Sequence, residues 1–339
     1  MPRLAVLALL VPLAASAADP IRVGVIGTDN YQAVAFTELY HNPKAEGDLK
    51  GLKVVAAFAG GSKDITDNEK DAAKWAEALT KLGVEVVKSP EEVLKKCDAV
   101  MVMSADGRAH LEQLKPILKA GKPVYVGRPL AASLADVVEI FRLAAESKTP
   151  IFSCSQHRFS PGFIGMRNHP EVGDVLGADV YGGCPREPHH PDLFWHGVHG
   201  VETLYTILGP GCVSVTRTST DAADVVVGEW KDGRVGTFRG ILKGAVKYSG
   251  TVFGAKGVSI TGVYGHGVPV KGVAPTDDKY MGYEPTAIEI AKFFKTGKPP
   301  VSADETTELF AFMEAADESV RQKGAPVKLA DVLAKAKKK

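Results

Sequence analysis

The sequence predicts an α/β protein built from two domains, and two observations support that prediction. From residue 21 to residue 153, short apolar segments of strand length alternate with helical patterns, which is typical of a parallel sheet with helices on both faces. After residue 156, glycine-rich and aromatic segments alternate like the strands of an open, largely antiparallel sheet. The first-domain strands are predicted at residues 21–26, 53–58, 84–87, 99–103, 124–126 and 151–153.

Residues that begin or end helices separate these predicted strands. Ser89-Pro90-Glu91-Glu92 is a capping box with proline at the first helical position. Gly83 and Gly121 stand where a helix must end before a strand begins. The first domain is therefore predicted to be a Rossmann-like, doubly wound parallel sheet.

The second domain is predicted to be α+β. Lys231-Asp232-Gly233-Arg234 has the composition of a hairpin turn between two strands. Strand-like segments cover residues 177–183, 225–238 and 247–263, and helical patterns cover residues 197–208, 285–296 and 304–322.

The first 17 residues have the pattern of a signal peptide that is removed on export. Arg3 precedes an apolar run over residues 4–13, and Ala15-Ser16-Ala17 resembles a cleavage site. The run is too short to remain as a membrane anchor. We therefore expect a periplasmic or secreted protein with domains at 18–153 and 154–332 and a basic tail at 333–339.

Charge and cysteine content exclude several classes of protein. A formal net charge of +1 gives no electrostatic basis for binding nucleic acid or an anionic membrane. Cys97, Cys154, Cys184 and Cys212 lack CxxC spacing, which argues against a zinc or thioredoxin-type site. We expect four buried thiols, with a Cys184–Cys212 disulfide as the alternative.

The turn after the first strand departs from the G-x-G-x-x-G pattern that brings backbone amides to a pyrophosphate. Only Gly27 remains, because Asp29 and Gln32 stand at the second and third glycine positions. If Asp29 faced a phosphate at about 4 Å, the repulsion would be roughly 4 kcal/mol at an effective dielectric near 20. Residues 59–63 also lack the acidic residue that binds ribose hydroxyls, although Ser62 and Lys63 are candidates for the extra phosphate of NADP. The nucleotide site is therefore predicted to be altered.

Several motifs occur in a fixed order along the chain: His110 with the helix that follows it, residues 121–131, Arg158-Phe159-Ser160-Pro161, Gly197-Val198-His199, and the segments 293–309 and 314–319. In this order they resemble the Gfo/Idh/MocA family, the relatives of glucose-fructose oxidoreductase and inositol dehydrogenase. The chain looks particularly like exported members that carry an Ile-Gly-Thr-Asp turn and the stretch 187–202. The resemblance implies hydride transfer between NAD or NADP and a sugar or cyclitol carbon, and a homo-oligomer formed through the open sheet.

Two catalytic positions of these relatives are occupied differently here. Where relatives have Glu-Lys-Pro, this chain has Gly127-Arg128-Pro129, and arginine cannot act as a general base, although it can bind an oxyanion or a carboxylate. Relatives pair an aspartate with a histidine four residues later, and here those places hold Trp195 and His199. We therefore expect His199 to be the acid–base residue and Arg128 its electrostatic partner.

The other expected site residues lie at the carboxyl edge of the parallel sheet and around the start of the second domain. Asp106 has a second interpretation, as the cap of the helix that follows it. The expected cofactor-binding residues are Gly27, Thr28, Asp29, Ser62, Asp106 and His110. The expected substrate-binding residues are Arg158, Trp195, His196 and Tyr283.

Two alternatives stand beside the oxidoreductase prediction. His196, His199 and Glu202 recur every three residues, so on a helix they share one side and are candidates for binding a divalent metal such as zinc. On that interpretation the protein is a metal-assisted lyase or hydrolase. The changed family positions favour the other alternative, a redox-inactive carbohydrate-binding protein.

Overall fold

A computed structural model describes residues 19–65, 68–167, 169–262 and 282–338. The predicted signal peptide therefore lies outside the described residues. The first domain contains six strands: β1 Ile21–Ile26, β2 Leu52–Phe58, β3 Glu85–Val87, β4 Ala99–Val102, β5 Val124–Val126 and β6 Ile151–Ser153. Its helices are α1 Gln32–His41, α2 Asn68–Lys81, α3 Pro90–Lys96, α4 His110–Lys119 and α5 Leu134–Ser147.

All paired strands of the first sheet are parallel, in the order β3-β2-β1-β4-β5-β6. This is the doubly wound order whose direction reverses between β1 and β4, where such sheets form a ligand-binding crevice at the carboxyl ends of the strands. All four residues of β4 are buried, as expected for a strand covered by helices on both faces. The predicted Rossmann-like fold is confirmed.

The local signals at helix ends take the predicted form. Ser89 Oγ accepts a hydrogen bond from the Glu92 backbone N–H at 3.3 Å, which caps α3. Gly83 and Gly121 follow α2 and α4 with φ angles of 82° and 66°, in the left-handed region that favours glycine.

The second domain contains a seven-stranded sheet in the order β12-β11-β7-β10-β9-β8-β13, in which only the β7–β10 pair is parallel. The strands are β7 Val175–Gly183, β8 Cys212–Ser219, β9 Ala223–Trp230, β10 Val235–Ile241, β11 Ser249–Gly254, β12 Val258–Gly262 and β13 Val327–Lys328. The helices are α6 Pro161–Ile164, α7 Gly197–Leu208, α8 Glu284–Thr296, α9 Ala303–Arg321 and α10 Leu329–Ala336. The predicted α+β class is confirmed, and the turn at 231–234 joins β9 to β10.

The sequence patterns did not predict β8, β13, α6 or α10. β8 turns the charged side chain of Arg217 into the interior, so its hydrophobic alternation is broken. α10 extends to Ala336, so the first residues of the predicted basic tail belong to a packed helix whose Leu329 and Val332 are buried.

Helix α8 packs against the first domain although its sequence lies far along the second. Its Ala287, Ile290 and Phe293 belong to the same buried cluster as residues of β1 and α1. The Tyr40 hydroxyl of α1 donates to the Ala287 carbonyl oxygen at 3.0 Å. The core of the first domain is therefore completed by residues beyond position 282.

The four cysteine thiols are free and buried, so the preferred prediction is confirmed and the Cys184–Cys212 disulfide is wrong. Within the described ranges, no helix combines the length and apolar character needed to cross a membrane.

Candidate active site at the junction of the two domains

The turn that follows β1 is held closely against the loop that follows β4. Gly27 has a φ angle of 87°, and a Cβ atom there would lie 2.7 Å from Ser104 Cα. The Thr28 backbone N–H donates to the Gly60 carbonyl oxygen at 3.2 Å, and the Thr28 hydroxyl donates to Ala72 in α2 at 2.8 Å. Gly27 and Thr28 therefore shape the turn at the switch point of the sheet.

Asp29 does not present an exposed carboxylate at this turn. Its side chain is buried, and Oδ1 accepts a hydrogen bond from the Ala105 backbone N–H at 2.9 Å. Burial raises the pKa of Asp29 to about 6, against the opposing effect of that hydrogen bond. The carboxylate thus braces the two loops, and the repulsion estimated for a phosphate facing it does not apply to this arrangement.

Asn30 and Gln32 make side-chain contacts that the sequence did not predict. Asn30 Oδ1 accepts a hydrogen bond from the Gln32 backbone N–H at 2.8 Å, just where α1 begins. The Gln32 side-chain amide donates to Gln156 Oε1 at 3.2 Å, which joins α1 to the loop after β6. An asparagine two residues before a helix is a recognisable signal for the first contact, whereas nothing local predicts the second.

Ser62 and Asp106 lie together at the carboxyl edge, because the Ser62 hydroxyl donates to Asp106 Oδ2. Asp106 also accepts from the Arg108 backbone N–H at 2.9 Å, which confirms its interpretation as a cap, and it pairs with the Arg108 side chain at 2.7 Å. Burial acts to raise the pKa of Asp106, but contacts with His190, Arg108 and Ser62 outweigh it and hold the pKa well below its usual range. Asp106 is therefore a fixed anion that links the β2 and β4 loops.

His110 is completely buried and faces backbone rather than an open site. Its Nδ1 lies 3.1 Å from the Leu130 carbonyl oxygen and its Nε2 lies 2.9 Å from the Ser104 carbonyl oxygen. Burial lowers the pKa of His110. His110 holds the loop after β4 against the segment after β5. Any effect of His110 on a cofactor is therefore indirect, through the position of that loop.

The stretch before α7 crosses from the second domain to this edge. His190 is buried, with Nε2 3.2 Å from Asp106 Oδ1, and its ring centroid is 4.7 Å from that of Trp195. The Trp195 carbonyl oxygen accepts a hydrogen bond from Arg128 Nη1 at 3.2 Å, and the Arg128 guanidinium lies 5.9 Å from the Trp195 ring centroid. A continuous series of contacts therefore joins Ser62 to Arg128.

His199 lies in the first turn of α7, where it meets the loop after β6. Its Nδ1 is 2.6 Å from Ser155 Oγ, and Ser155 Oγ also accepts a hydrogen bond from the His157 backbone N–H at 3.1 Å. The His199 ring centroid is 4.8 Å from that of His157 and 5.7 Å from that of His196. Arg128, His196 and His199 are therefore brought together as predicted, and Ser155 and His157 join them without having been predicted.

The three imidazoles of this cluster share one electrostatic environment. Burial, followed by the positive charge of Arg128, lowers the pKa of His157 to about 3 and that of His196 to about 3. The same two causes hold the pKa of His199 well below its ordinary value. All three side chains are neutral near pH 7, so Arg128 supplies the positive charge among these four groups.

Arg158, which was predicted to bind substrate, is engaged in a buried ion-pair network. Its Nη1 donates to Glu202 Oε1 at 2.5 Å, and its Nη2 donates to Glu305 at the start of α9. Burial raises the pKa of Glu202, and the Arg158 charge opposes that rise. Arg158 therefore ties α7 and α9 to the loop after β6.

The alternative metal site is wrong for the same reason. Glu202 is bound to Arg158 and His199 is bound to Ser155, so the three side chains do not converge on one ion. The described ranges contain no group of three histidine, cysteine or acidic side chains placed to hold a metal.

Tyr283 stands at the start of α8, beside the first helix of the parallel sheet. Its ring centroid is 5.6 Å from that of Phe36 and 6.3 Å from that of Tyr31. Tyr283 also contributes to the electrostatic environment of Arg128. It therefore borders the predicted site from the first-domain side.

The doubly wound sheet has the strand order of a nucleotide-binding domain, and the histidine-bearing helix α7 follows it in a second domain. Residues 21–153 match the model of the Gfo/Idh/MocA family, described as an oxidoreductase family with an NAD-binding Rossmann fold. The match covers the first domain of this chain.

Similarity to known proteins extends over both domains. The myo-inositol 2-dehydrogenase of Thermotoga maritima is 25% identical over 92% of this chain and 100% of its own length. A probable dehydrogenase from Thermotoga maritima has a TM-score of 0.72 at 20% identity, covering 92% of this chain and 100% of that one. GenD2 from gentamicin A biosynthesis, solved in complex with NAD, has a TM-score of 0.71 at 16% identity, covering 94% and 99%. The two solved structures share the fold of this chain.

Proposed function

We propose that the protein is an NAD(P)-dependent oxidoreductase that interconverts a secondary alcohol and a ketone on a sugar- or cyclitol-like substrate. One observation carries the proposal: Arg128, two residues after β5, donates to the Trp195 carbonyl oxygen just before α7, and His199 lies in the first turn of that helix. The family match and the inositol dehydrogenase relatives support the reaction class.

The residues around the switch point fit a dinucleotide. Asp29 is turned onto Ala105, which removes its carboxylate from the face of the turn, and α1 begins beside that turn with the positive end of its dipole. Gly27, Thr28 and Ser62 are the residues that would line the dinucleotide, with Asp106 fixed behind Ser62. When bound, the nicotinamide supplies the group that accepts or returns a hydride.

His199 and Ser155 have the arrangement needed to move the substrate hydroxyl proton. In the tautomer whose Nδ1–H donates to Ser155 Oγ, the His199 Nε2 atom carries the lone pair that takes the alcohol proton. Because burial and the Arg128 charge lower the pKa of His199, the imidazolium formed is a strong proton donor. The same nitrogen returns the proton when a ketone is reduced. Arg128 places a positive charge where an alkoxide develops. A preorganised charge at such a position lowers the activation free energy by on the order of 3 kcal/mol.

The test combines binding with turnover on the purified protein. Thermal shift with NAD and NADP separately is expected to show stabilisation by one of them, about 2.7 kcal/mol at 100 times the dissociation constant. Nicotinamide absorbance, followed with a panel of polyols, cyclitols and their ketones, is expected to change with at least one substrate. No stabilisation by either dinucleotide at millimolar concentration, together with no absorbance change, would exclude the proposal.

A redox-inactive binding protein is the second candidate, and one contact favours it. The Ser62 hydroxyl is bonded to Asp106, so the loop after β2 meets the loop after β4 at the edge where a ribose would lie. Sugar binding without dinucleotide binding in the same thermal-shift series would select this candidate.

We also propose a homo-oligomer formed through the open face of the second sheet. That face exposes Tyr181, Val235, Phe253, Val258 and Ile260, an apolar set that is unusual for a face left in water.

Export remains a proposal that rests on residues 1–17. Light scattering tests the proposed homo-oligomer, and N-terminal sequencing of the native protein tests the proposed export.

A further inference from the structure

Arg128 is one of two arginines of the described residues that lack an acidic partner. Arg158 pairs with Glu202 and Glu305, and the fully buried Arg217 pairs with three aspartates. In residues 19–65, 68–167, 169–262 and 282–338, only Arg128 and Arg239 have no carboxylate within 4.0 Å, and Arg239 is exposed on the open sheet.

Among the residues that the structure describes, the groups around Arg128 leave its charge uncompensated. His157, His196 and His199 are neutral, and Tyr125, Tyr248 and Tyr283 are the groups that act to raise the pKa of Arg128 against the lowering effect of burial. One N–H of the guanidinium donates to the Trp195 carbonyl oxygen, which leaves further donors of the planar fork for a ligand. Arg128 is only partly buried, so these donors are within reach of a small molecule.

We propose that the substrate of this site is a polyol that carries a carboxylate, such as an aldonate or a uronate, and that Arg128 binds the carboxylate rather than the developing alkoxide. A guanidinium matches a carboxylate bidentately, and a charged group in a desolvated site is stabilised by an opposite charge far more than by a neutral hydroxyl. The proposal rests on the proposed function for the reaction, but the recognition itself requires only the site.

His157 supplies a second point of contact for such a substrate. It is 1% exposed, and its Nδ1 atom has no hydrogen-bond partner among the residues that the structure describes. Its ring packs against those of His199 and Tyr248, with centroids 4.8 Å and 4.5 Å away. A buried ring nitrogen without a partner is satisfied when a substrate hydroxyl bonds to it. Carboxylate and hydroxyl contacts together would orient one carbinol toward His199.

Titration calorimetry with D-gluconate and the neutral polyol D-sorbitol tests the proposal, with saturating NAD or NADP present and then without it. We expect gluconate to bind at least tenfold more tightly than sorbitol to the wild-type protein. Arg128→Gln is expected to remove that preference, weakening gluconate by about 10- to 100-fold and leaving sorbitol nearly unchanged. Arg128→Lys keeps the charge but not the planar fork of donors. Its preference for gluconate over sorbitol is expected to lie between those of the wild type and Arg128→Gln. Arg239→Gln is the matched control and keeps the full preference.

The outcomes separate this inference from the proposed function. Equal binding of gluconate and sorbitol to the wild-type protein, or an unchanged preference in folded Arg128→Gln, overturns the inference even if a dinucleotide is reduced. Inorganic phosphate that competes as well as gluconate does also overturns it, because the anion is then not specified as a carboxylate. Loss of dinucleotide binding in Arg128→Gln without any gluconate preference would assign the arginine to the cofactor instead. A gluconate preference without dinucleotide binding supports the inference and excludes the redox proposal.

Discussion

Ser155 Oγ and His199 Nδ1 lie 2.6 Å apart, across a gap of 44 residues in the sequence. Ser155 belongs to the loop after β6 of the first domain, and His199 belongs to the first turn of α7. Both side chains are buried, so the hydrogen bond is shielded from competing water. The contact fixes which ring nitrogen of His199 is available for chemistry and makes Ser155 a positioning residue.

Ser155→Ala is expected to lower kcat by about 10- to 100-fold with little change in KM, because the imidazole loses the partner that orients it. Ser155→Thr, which keeps the hydroxyl, is expected to recover most of the activity. Steady-state kinetics on the substrate identified in the polyol panel provide the measurement. Ser147→Ala on the exposed end of α5 is the control. If the activity of Ser155→Ala falls only in proportion to its folded fraction, Ser155 has a merely structural role.

The environment of Asp317 in α9 gives the protein an unusual dependence of stability on pH. Burial raises the pKa of Asp317 to about 7, although the charge of Arg217 opposes the shift. The native protein therefore keeps this proton up to about pH 7, whereas the unfolded chain releases it near pH 3.8. Because the native state binds more protons in that interval, this group's contribution to stability falls as the pH rises from about 4 to about 7.

Asp317→Asn removes that titration. We expect the stability of Asp317→Asn relative to wild type to increase between pH 5 and pH 8, by on the order of 2 kcal/mol. Urea denaturation of both proteins at the two pH values measures the difference. The exposed Asp221→Asn variant is the control, and no relative change with pH is expected for it. A relative stability of Asp317→Asn that stays constant with pH would contradict the prediction.

Gly27→Ala is expected to destabilise the protein more than Gly233→Ala does. The two glycines have φ angles of 87° and 86°, so both substitutions carry the same left-handed backbone cost, about 1–2 kcal/mol. Only at Gly27 would the added Cβ also press on Ser104, whereas at Gly233 no atom lies within 4 Å. The extra cost is expected to be about 1–3 kcal/mol in denaturant unfolding. Equal losses in the two variants would show that the β4 loop moves aside freely.

Arg158→Met distinguishes a structural arginine from a substrate-binding one. Removal of the guanidinium leaves Glu202 and Glu305 buried together without their partner, so a loss of about 3–5 kcal/mol in unfolding free energy is expected. The exposed Arg321→Met variant is expected to lose no more than about 1 kcal/mol. KM of the folded Arg158→Met fraction is expected to stay close to wild type. A large rise in KM with unchanged stability would restore the substrate role predicted from the sequence.

Much of the fold was predictable because its signals are local. β1, β5, β6 and α7 begin and end at the predicted residues, since each is a continuous apolar or amphipathic segment bounded by polar or turn-forming residues. Arg128 and His199 were identified because their positions in the motif order of a known family are informative. β8 escaped prediction because it contains a buried arginine whose aspartate partners lie on other elements.

The sequence by itself determined the two-domain α/β architecture and the placement of Arg128 and His199 at the ends of elements that meet, because hydrophobic periodicity and helix punctuation act over a few residues. Only the tertiary structure decided what each polar side chain does. It turned Asp29 onto Ala105, committed Arg158 and Glu202 to each other, and set Ser155 and His157 beside His199. Charges and hydrogen bonds are paired by proximity in space, and that proximity is fixed by the packing of segments far apart in the chain.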